Sequence, residues 1–536
     1  MTQKEMQSIL EIGTAISSEK DYNRLLEMIL NRIMELPHAD AGTLYLADGD
    51  VLRFKIMRNN TMHTYEGGDG KEPNLPPVKL SRENVCAMSY LENRTVCIEN
   101  VRTSTEYDFS GPVRYDAMTG YHTQSMLVVP MHNRQGERLG VIQLINAMDA
   151  AGDVCAFPAD IIPAVESVAS QAAITIQNVL YIENIKELFE SFVRVMSSAV
   201  DERTPYNASH TRHMVEYGRH FIDYLNGKAK EAGQPLLFNT AHKHELLMSV
   251  WLHDIGKLVI PLEVMNKDAR LLPEQKTAIL HRFEKIRLLI QIASLKGEIS
   301  VETMQEREEE LQKAQETILR ANTAGFCPDD LREEVCRIHE KTYMEEDGSE
   351  KPWLEEEEFQ MLMIRRGTLS EEERAVMESH VVITDKLLSE IRFSKELSHV
   401  REWAASHHEL LNGSGYPKHL TADQIPMEVR IITILDIFDA LVADDRPYKP
   451  GMPVEKALNI LDSMANKEGK LDPELTRLFV ESRCWEKVQN QKKILSGSIK
   501  TVKFNGKYKM ALRKKRNCNL NLPLLCSKIN AGAEGG

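Results

Sequence analysis

Long apolar runs are missing from this 536-residue sequence. No stretch of 18 or more apolar residues occurs, which excludes a typical membrane-spanning helix. The first residues, MTQKEMQSIL, lack the basic stretch and apolar core of a secretory signal. Both absences predict a soluble protein of the cytosol. The length itself exceeds what one hydrophobic core usually serves, so we expect several domains.

Cysteine patterns that hold zinc or form a disulfide framework are also absent. The eight cysteines are scattered, without a CxxC pair or any zinc-finger spacing. We therefore expect reduced thiols.

Positive charge is scarce until the end of the chain. The net charge of −14 argues against general nucleic-acid binding. Residues 486–536, in contrast, contain 12 lysine and arginine residues and 2 acidic ones, including the run KYKMALRKKR. This basic tail could contact nucleic acid or anionic lipid. Its polar, glycine-ended composition favours a disordered segment.

Residues 1–180 alternate between helical and strand patterns. A helical pattern over Met6–Leu36 precedes short apolar runs such as TLYLA, SMLVVPM and LGVIQLINA, each bounded by turn residues. This order predicts a small α+β domain built on an antiparallel sheet.

A long helix over residues 181–200 is predicted to connect this domain to the rest of the chain. Apolar residues recur in it at three and four residues, as at the a and d positions of a coiled coil, namely Ile182, Ile185, Phe189, Phe192 and Met196. Packing against a core explains the same stripe about as well. If the stripe is a seam it joins two chains, and we expect a homodimer formed through the front domain and this helix.

Residues 201–485 are almost wholly helical in pattern, which predicts an all-α domain. Within them, residues 268–366 are rich in charge, as in VETMQEREEELQKAQETILRAN, and hold no candidate catalytic cluster. We interpret this segment as a helical insertion. Its charged surface either binds a partner or is simply solvated.

Histidine and aspartate residues at five places in this helical region are candidate metal ligands. They are His210 in ASHTRH, His253 and Asp254 in WLHDIGKL, His380 in MESHV, His407 and His408 in HHELL, and Asp436 in ITILDIF. Neighbouring imidazole and carboxylate groups suit iron, manganese or zinc. Asp436 lies in an apolar segment, where a carboxylate is costly unless it is paired or bound to a cation. A salt bridge or helix cap would explain Asp436 alone, but together with the histidines a metal is favoured.

These stretches resemble the HD-GYP family, a branch of the HD-domain metal-dependent phosphohydrolases. The motifs HDIGK, GTLSEEERAVMESH, HHELLNGSGYP and DIFDALVADDRPYK occur in the order found in that family. The resemblance implies an all-α bundle that hydrolyses cyclic di-GMP at two or three divalent metal ions, usually iron or manganese.

The resemblance also implies which residues bind the metals and the substrate. The first metal would take His210, His253, Asp254 and Asp436, and the second His380, His407 and His408, with Asp254 as a bridge. Tyr206 stands where three-metal members have glutamate, so two metals are expected. The segment that ends near His281 is similar to the segment before His380. When the two segments are aligned, Phe283 takes the position of His380, so His281 is the weaker candidate ligand.

Four further residues match substrate contacts or a catalytic role. Lys257 lies one turn beyond His253 and could reach a phosphate oxygen, so we assign it, with Asp254, to catalysis. Arg446 and Lys449 resemble the family's phosphate contacts and suit a dianionic substrate. Tyr416 in the GSGYP loop could pack, line the substrate groove or meet a partner protein.

The front domain resembles a GAF domain, a small-molecule sensing module, through YDAMTGYHTQSMLVVPMHNRQGERLGVIQLINA at residues 115–147. We predict a GAF-regulated phosphodiesterase that converts cyclic di-GMP to pGpG and, in a further step, to GMP. Two alternatives stay open at this point. One is hydrolysis of another cyclic dinucleotide such as cyclic GMP-AMP, and the other is a non-catalytic adaptor that binds nucleotide or protein.

Overall fold

A computed structural model describes residues 13–203, 209–443 and 451–488, apart from Ser17, Lys20, Glu72 and Arg134, together with residues 501–504 and 508–511. The chain divides into two compact units, Met1–Glu190 and Ser191–Gly536. Among the described residues, no helix is both long and apolar enough to cross a membrane.

The first unit consists of helices and one antiparallel sheet. Its elements are α1 Tyr22–Glu35, β1 Ala39–Asp48, β2 Val51–Asn59, β3 Thr64–Gly67, β4 Val78–Lys79, α2 Val85–Glu92, β5 Val96–Ile98, α3 Ser110–Thr119, β6 Met126–His132, β7 Arg138–Met148 and β8 Val154–Cys155. The main strand order is β3-β2-β1-β7-β6-β5, with β4 paired to β2 and β8 to β7.

Alternating side chains of this sheet supply two separate cores. In β6, Leu127 and Val129 face the helices α1 and α4 (Ile162–Asp201), whereas Met126 and Val128 face α2. Because successive residues of a strand point to opposite faces, an unbroken apolar run is buried on both sides. The predicted α+β domain with an antiparallel sheet is confirmed.

Helix α4 continues past the first unit. Its first half is buried in the core, since Val165, Ala169, Ala172 and Ile176 recur on one face at three and four residues. The following turns, from Tyr181 to Leu188, are exposed to solvent.

The second unit is mainly helical. Its elements are α5 His210–Glu231, α6 Thr240–Leu252, a 3₁₀ turn Ile255–Leu258, α7 Leu262–Met265, α8 Pro273–Leu295, α9 Val301–Thr323, α10 Asp329–His339, β9 Thr342–Met344, β10 Glu350–Pro352, α11 Glu356–Leu362, α12 Glu371–Glu378, α13 His380–Ser389, a 3₁₀ turn Lys395–Leu397, α14 Val400–Ala404, α15 Met427–Val442, α16 Val454–Asn466 and α17 Pro473–Ser482. Its main core lies between α5, α6, α15, α16 and α17. The predicted helical fold of this region is confirmed.

Residues 268–366, predicted as an insertion, have a hydrophobic core of their own. Phe283, Ile318, Val335 and Trp353 belong to it, and the segment includes the small antiparallel hairpin of β9 and β10 as well as helices. Because it buries its own apolar side chains, the segment can be added without disturbing the main core.

A pair of contacts holds the two ends of this segment together. The Lys267 ammonium group lies 2.7 and 2.8 Å from the two carboxylate oxygens of Glu373, and Thr368 donates a hydrogen bond to the Lys267 carbonyl. The chain therefore returns, after residues 268–366, to the place from which it left.

The predicted disordered tail is described only in part. Thr501–Phe504 and Tyr508–Ala511 form two short antiparallel strands, β11 and β12, which depart from the predicted disorder. The other residues of 489–536 lie outside the described residues, and so do the cysteines of the tail.

Candidate metal centre

Seven predicted ligands come from five segments of the second unit and meet at one buried place. His210 begins α5, His253 and Asp254 lie between α6 and the 3₁₀ turn, His380 begins α13, His407 and His408 follow α14, and Asp436 lies within α15. Six of the seven, His210, His253, Asp254, His380, His407 and Asp436, have side chains that are at most 13% exposed. The His408 side chain is 24% exposed.

Asp254 stands between two groups of histidines. Its Oδ2 lies 3.2 Å from Nε2 of His253 and 3.8 Å from Nε2 of His210. Its Oδ1 lies 3.4 Å from Nε2 of His380 and 3.8 Å from Nε2 of His407. One carboxylate thus presents one oxygen to each group, which is the geometry of a bridging ligand.

Asp436 also faces both groups. Its Oδ1 lies 3.3 Å from Nε2 of His210, and its Oδ2 lies 3.7 Å from Nδ1 of His408. The sequence placed Asp436 with the first metal alone, but its carboxylate is positioned to serve either side.

Three ring nitrogens point into the site without a hydrogen-bond partner among the described residues. They belong to His253, His380 and His407, and each is the Nε2 atom. The Nδ1 atom of each ring lies 2.7 Å from the backbone carbonyl three residues earlier. Because a carbonyl only accepts, each Nδ1 carries the hydrogen and each Nε2 keeps a free lone pair. Buried, unpaired lone pairs are costly unless they bind a cation, so these residues fit a metal.

Asp439 orients a fourth histidine, and the sequence reasoning missed it. Its Oδ2 lies 2.7 Å from Nδ1 of His210, which leaves Nε2 of His210 facing Asp254 and Asp436. A carboxylate behind a histidine fixes the ring and makes it a stronger ligand. The signal was present, since Asp439 follows Asp436 by three residues and so lies on nearly the same face of α15.

The charges of the site suit a cation. Burial alone would raise the pKa of the Asp254 carboxyl, but His253 and Lys257 beside it hold that pKa well below its usual range. Burial lowers the pKa of His380 to about 4. Although burial opposes it, hydrogen bonds with Asp436 and Asp439 raise the pKa of His210 to about 10. Metal ligands must be deprotonated, so binding a cation at His210 would release a proton.

Lys257 lies on the bridging carboxylate. Its ammonium nitrogen is 2.5 Å from Oδ2 of Asp254, and its side chain is 18% exposed. Burial lowers the pKa of Lys257, but Asp254 and Asp436 outweigh this and raise it. The ammonium group is therefore charged. It lies beside Asp254, where it could bind a phosphate oxygen.

The GSGYP loop folds back onto the histidine pair. A Cβ atom at Gly415 would come within 2.5 Å of the His408 carbonyl oxygen, so only glycine fits. Glu409, buried, accepts hydrogen bonds from the backbone of Lys418 and Leu420 at 2.6 and 2.9 Å. These contacts set the Tyr416 ring 4.8 Å from the His408 ring.

Tyr416 is placed beside two of the three histidines of the second group, His408 and His380. Its ring centre is also 6.5 Å from that of His380. Burial raises the pKa of Tyr416, and the negative charge of the neighbouring Glu378 raises it further by a smaller amount. The phenol therefore stays protonated and can donate a hydrogen bond.

Other predicted residues fall elsewhere. Arg446, Lys449 and Tyr206 lie outside the described residues. His281 is exposed on α8, within the insertion.

The donors form two groups that could each hold a divalent ion. In one, atoms of His380, His407 and His408 lie within 4.8 Å of one another, and the other combines His210, His253 and Asp254. Imidazole nitrogen with carboxylate oxygen suits iron, manganese or zinc, as the sequence predicted. The two groups bring together six of the seven predicted ligands, and the division of the ligands between two metals stays a prediction.

Replacing Asp439 by asparagine should weaken metal binding by about 10- to 100-fold, because His210 loses the anion that fixes its ring. The dissociation constant for Mn²⁺, measured by calorimetry on metal-free protein, checks this. Asp462→Asn, on the exposed surface of α16, is the matched control. Equal affinities for the two variants would contradict the role given to Asp439.

Comparisons with known families match both units. A GAF domain family matches residues 19–177, and an HD domain family matches residues 357–475. The second match contains His380, His407, His408 and Asp436.

Curated relatives match about a fifth of the chain. One is the 3'3'-cGAMP-specific phosphodiesterase 3 of Vibrio cholerae serotype O1, 39% identical over 113 residues, which are 21% of this chain and 23% of that protein. The cyclic di-GMP phosphodiesterase of Thermotoga maritima is 36% identical over 121 residues, 22% of this chain and 32% of that protein. The cyclic di-GMP phosphodiesterase response regulator RpfG of Xanthomonas campestris pv. campestris is 36% identical over 125 residues, 23% of this chain and 32% of that protein. The matched part spans less than a third of the length of each relative.

Among solved structures, the GAF domain of an Acinetobacter phosphoenolpyruvate-protein phosphotransferase is similar to this chain. It has 16% identity and a TM-score of 0.26, covering 34% of this chain and 99% of that domain.

Proposed function

We propose that this chain, which joins a GAF domain to an HD domain, is a metal-dependent phosphodiesterase that hydrolyses cyclic di-GMP to pGpG and, in a further step, to GMP. The observation that carries the proposal is the Asp254 carboxylate, set between two groups of histidines whose Nε2 atoms face it.

The chain's own residues would divide the work as follows. His210, His253, Asp254 and Asp436 would hold one divalent ion, and His380, His407 and His408 the other, for which iron or manganese is proposed. Two such ions supply the Lewis acidity that activates water at neutral pH and binds a phosphodiester. Lys257 would bind a phosphate oxygen, and Tyr416 would donate a hydrogen bond at the edge of the second group. Arg446 and Lys449 remain proposed phosphate contacts.

A turnover assay tests the proposal directly. The full chain would be purified, stripped of metal and reloaded with Mn²⁺. Cyclic di-GMP and 3'3'-cGAMP would then be supplied side by side, and the products separated by chromatography. We expect linear pGpG from cyclic di-GMP and loss of turnover after chelation.

The alternatives predict different products. Faster hydrolysis of 3'3'-cGAMP would favour the second substrate, which the site permits because its described residues are suited to phosphate and not to a base. A metal-loaded protein that binds either dinucleotide without cleaving it would show an adaptor instead of an enzyme.

Regulation by the first unit is proposed on the basis of a pocket that is partly open to solvent. The pocket has a volume of about 280 Å³, close to that of small-ligand pockets. Mixed apolar and polar side chains line it, including Phe54, Met57, Arg58, Asp108 and Gln143.

Dimerisation is proposed through α4. Apolar side chains spaced alternately four and three residues apart form an exposed stripe, between 53% and 70% exposed each, consisting of Tyr181, Ile185, Leu188, Phe192 and Val195. This is the spacing of a two-stranded coiled coil, and a second copy of α4 would cover it. Phe189 and Met196, predicted for the seam, are half-buried, so the stripe is rotated from the predicted one.

Leu188→Glu should convert the dimer to a monomer. Each copy would lose about 1.5–3 kcal/mol of stabilisation from the burial of the Leu188 side chain, and each dimer contains two copies. Light scattering at micromolar concentration measures the molecular mass. Lys186→Glu, also exposed on α4 but off the stripe, should leave the dimer intact. A wild-type chain that is monomeric at this concentration would contradict the dimer.

The cytosolic location also remains a prediction, and cell fractionation would test it.

A further inference from the structure

Two residues at the end of the long helix contact the two segments that carry His210, His253 and Asp254. Helix α4 ends at Asp201, and Arg203 follows in the next turn. Neither belongs to the motifs that identify metal ligands.

Asp201 is attached to the helix that begins with His210. Its side chain is buried, and its Oδ1 accepts a hydrogen bond of 3.0 Å from the Thr211 hydroxyl group. Thr211 is also buried and is the neighbour of His210 along the chain. A shift of Asp201 would therefore act on the first turn of α5, where His210 is fixed.

Arg203 is attached to the chain just after His253 and Asp254, at the 3₁₀ turn Ile255–Leu258 and at Ile260. Its guanidinium group donates to three backbone carbonyls, those of Lys257 at 2.7 Å, of Ile260 at 3.2 Å and of Leu258. Among the described residues, no carboxylate forms a salt bridge with it. A planar guanidinium presents several donors in a fixed arrangement, so Arg203 holds the shape of this turn and does more than add charge.

The same turn positions two residues assigned to catalysis, Lys257 and Asp254. Lys257, whose carbonyl Arg203 binds, sets its ammonium group on Asp254. A displacement of the turn would move Asp254 and Lys257 together, relative to the histidines on α13 and after α14.

We propose that Asp201 and Arg203 are positioning residues that couple the end of α4 to the two segments that carry His210, His253 and Asp254, the first group of metal ligands. This inference rests on the proposed function. The coupling runs through contiguous hydrogen bonds of one segment, so a change in α4 reaches His210 and Asp254 without passing through the main core. The proposal gives a signal that arrives along α4 a defined point of entry.

Arg203→Gln tests the proposal. The matched control is Arg194→Gln, since Arg194 is an exposed arginine on α4. We expect Arg203→Gln to weaken Mn²⁺ binding by about 10- to 100-fold, as loss of an outer contact of a metal site does. We also expect faster hydrogen exchange of the backbone amides at residues 255–260, with protection of α16 and α17 unchanged.

Arg203→Lys separates geometry from charge. Lysine keeps the positive charge but cannot bind three carbonyls in one plane, so it should recover only part of the affinity. Full recovery by lysine, or no difference between Arg203→Gln and Arg194→Gln, would overturn the proposal. Faster exchange throughout the second unit would also overturn it, because Arg203 would then be a general stabiliser.

Neither measurement uses a substrate. If the wild-type chain cleaves no cyclic dinucleotide, the proposed function fails while metal affinity and exchange still decide the role of Arg203.

Discussion

Replacing Asp254 by asparagine is expected to remove both metal ions and to lower kcat by more than about 1,000-fold. Even an outer contact of one metal contributes about 10- to 100-fold to affinity or activity, and Asp254 is placed to serve two metals at once. Asparagine has nearly the same shape, so the change removes the charge and one ligand oxygen while the side-chain volume stays the same.

The geometry explains why one residue should affect both groups of histidines. Oδ1 of Asp254 faces His380 and His407, and Oδ2 faces His210 and His253. Neutral imidazoles do not offset the repulsion between two cations held a short distance apart, so each carboxylate between the two groups stabilises both cations. The neutral amide of asparagine does not supply that charge.

Metal content by elemental analysis and turnover of cyclic di-GMP would be measured on the same samples. Asp385→Asn is the control, since Asp385 lies on α13, the helix that also carries His380, and forms an exposed salt bridge with Arg401 at 2.8 Å. Such a bridge contributes about 0–1 kcal/mol, so this variant should keep its metal and its activity. Full metal content in Asp254→Asn would mean that Asp254 has a structural role only.

Much of the fold follows from patterns that are visible in the sequence. Apolar runs such as SMLVVPM belong to strands buried on both faces, and the three-and-four spacing of Val165, Ala169, Ala172 and Ile176 places one side of α4 in a core. These patterns are local, so a short window of residues contains the information.

The metal ligands could be predicted for a different reason. His253 and Asp254 are adjacent, His407 and His408 are adjacent, and Asp436 stands in an apolar segment, whereas His210 and His380 are single histidines without such a local mark. The resemblance to a known family then joined segments that no local rule would have joined.

Contacts between distant segments could not be predicted in the same way. The Arg203 guanidinium binds carbonyls more than 50 residues away, and backbone carbonyls leave no mark in the sequence. The register of the exposed stripe on α4 was also out of reach. Leu188 and Phe189 are both apolar, and only packing decides which of them is buried.

The 3₁₀ turn that follows His253 and Asp254 lies close to α13, and this is another contact that sequence patterns do not show. A Cβ atom at Gly256 would lie 1.9 Å from the His380 carbonyl oxygen and 2.7 Å from the Thr384 nitrogen. The Thr384 hydroxyl group also binds this turn, accepting from the Gly256 amide at 3.0 Å and donating to the His253 carbonyl at 3.1 Å. Glycine at position 256 therefore sets the distance between Asp254 and His380.

Gly256→Ala should separate the two groups of ligands. The methyl group cannot fit against backbone atoms, so α13 must move away from the turn and carry His380 with it. We expect kcat to fall by about 100-fold, as misplacements near 1 Å can do, and the unfolding free energy to fall by about 1–3 kcal/mol. Bound Mn²⁺ should drop from two ions toward one.

The control is Gly227→Ala on α5, where a Cβ meets nothing within 4 Å, so alanine should stabilise the helix by about 0.5–1 kcal/mol and leave turnover unchanged. If Gly256→Ala kept both ions and its turnover, α13 would not set the position of His380, and the second metal would have to be held by His407 and His408 alone.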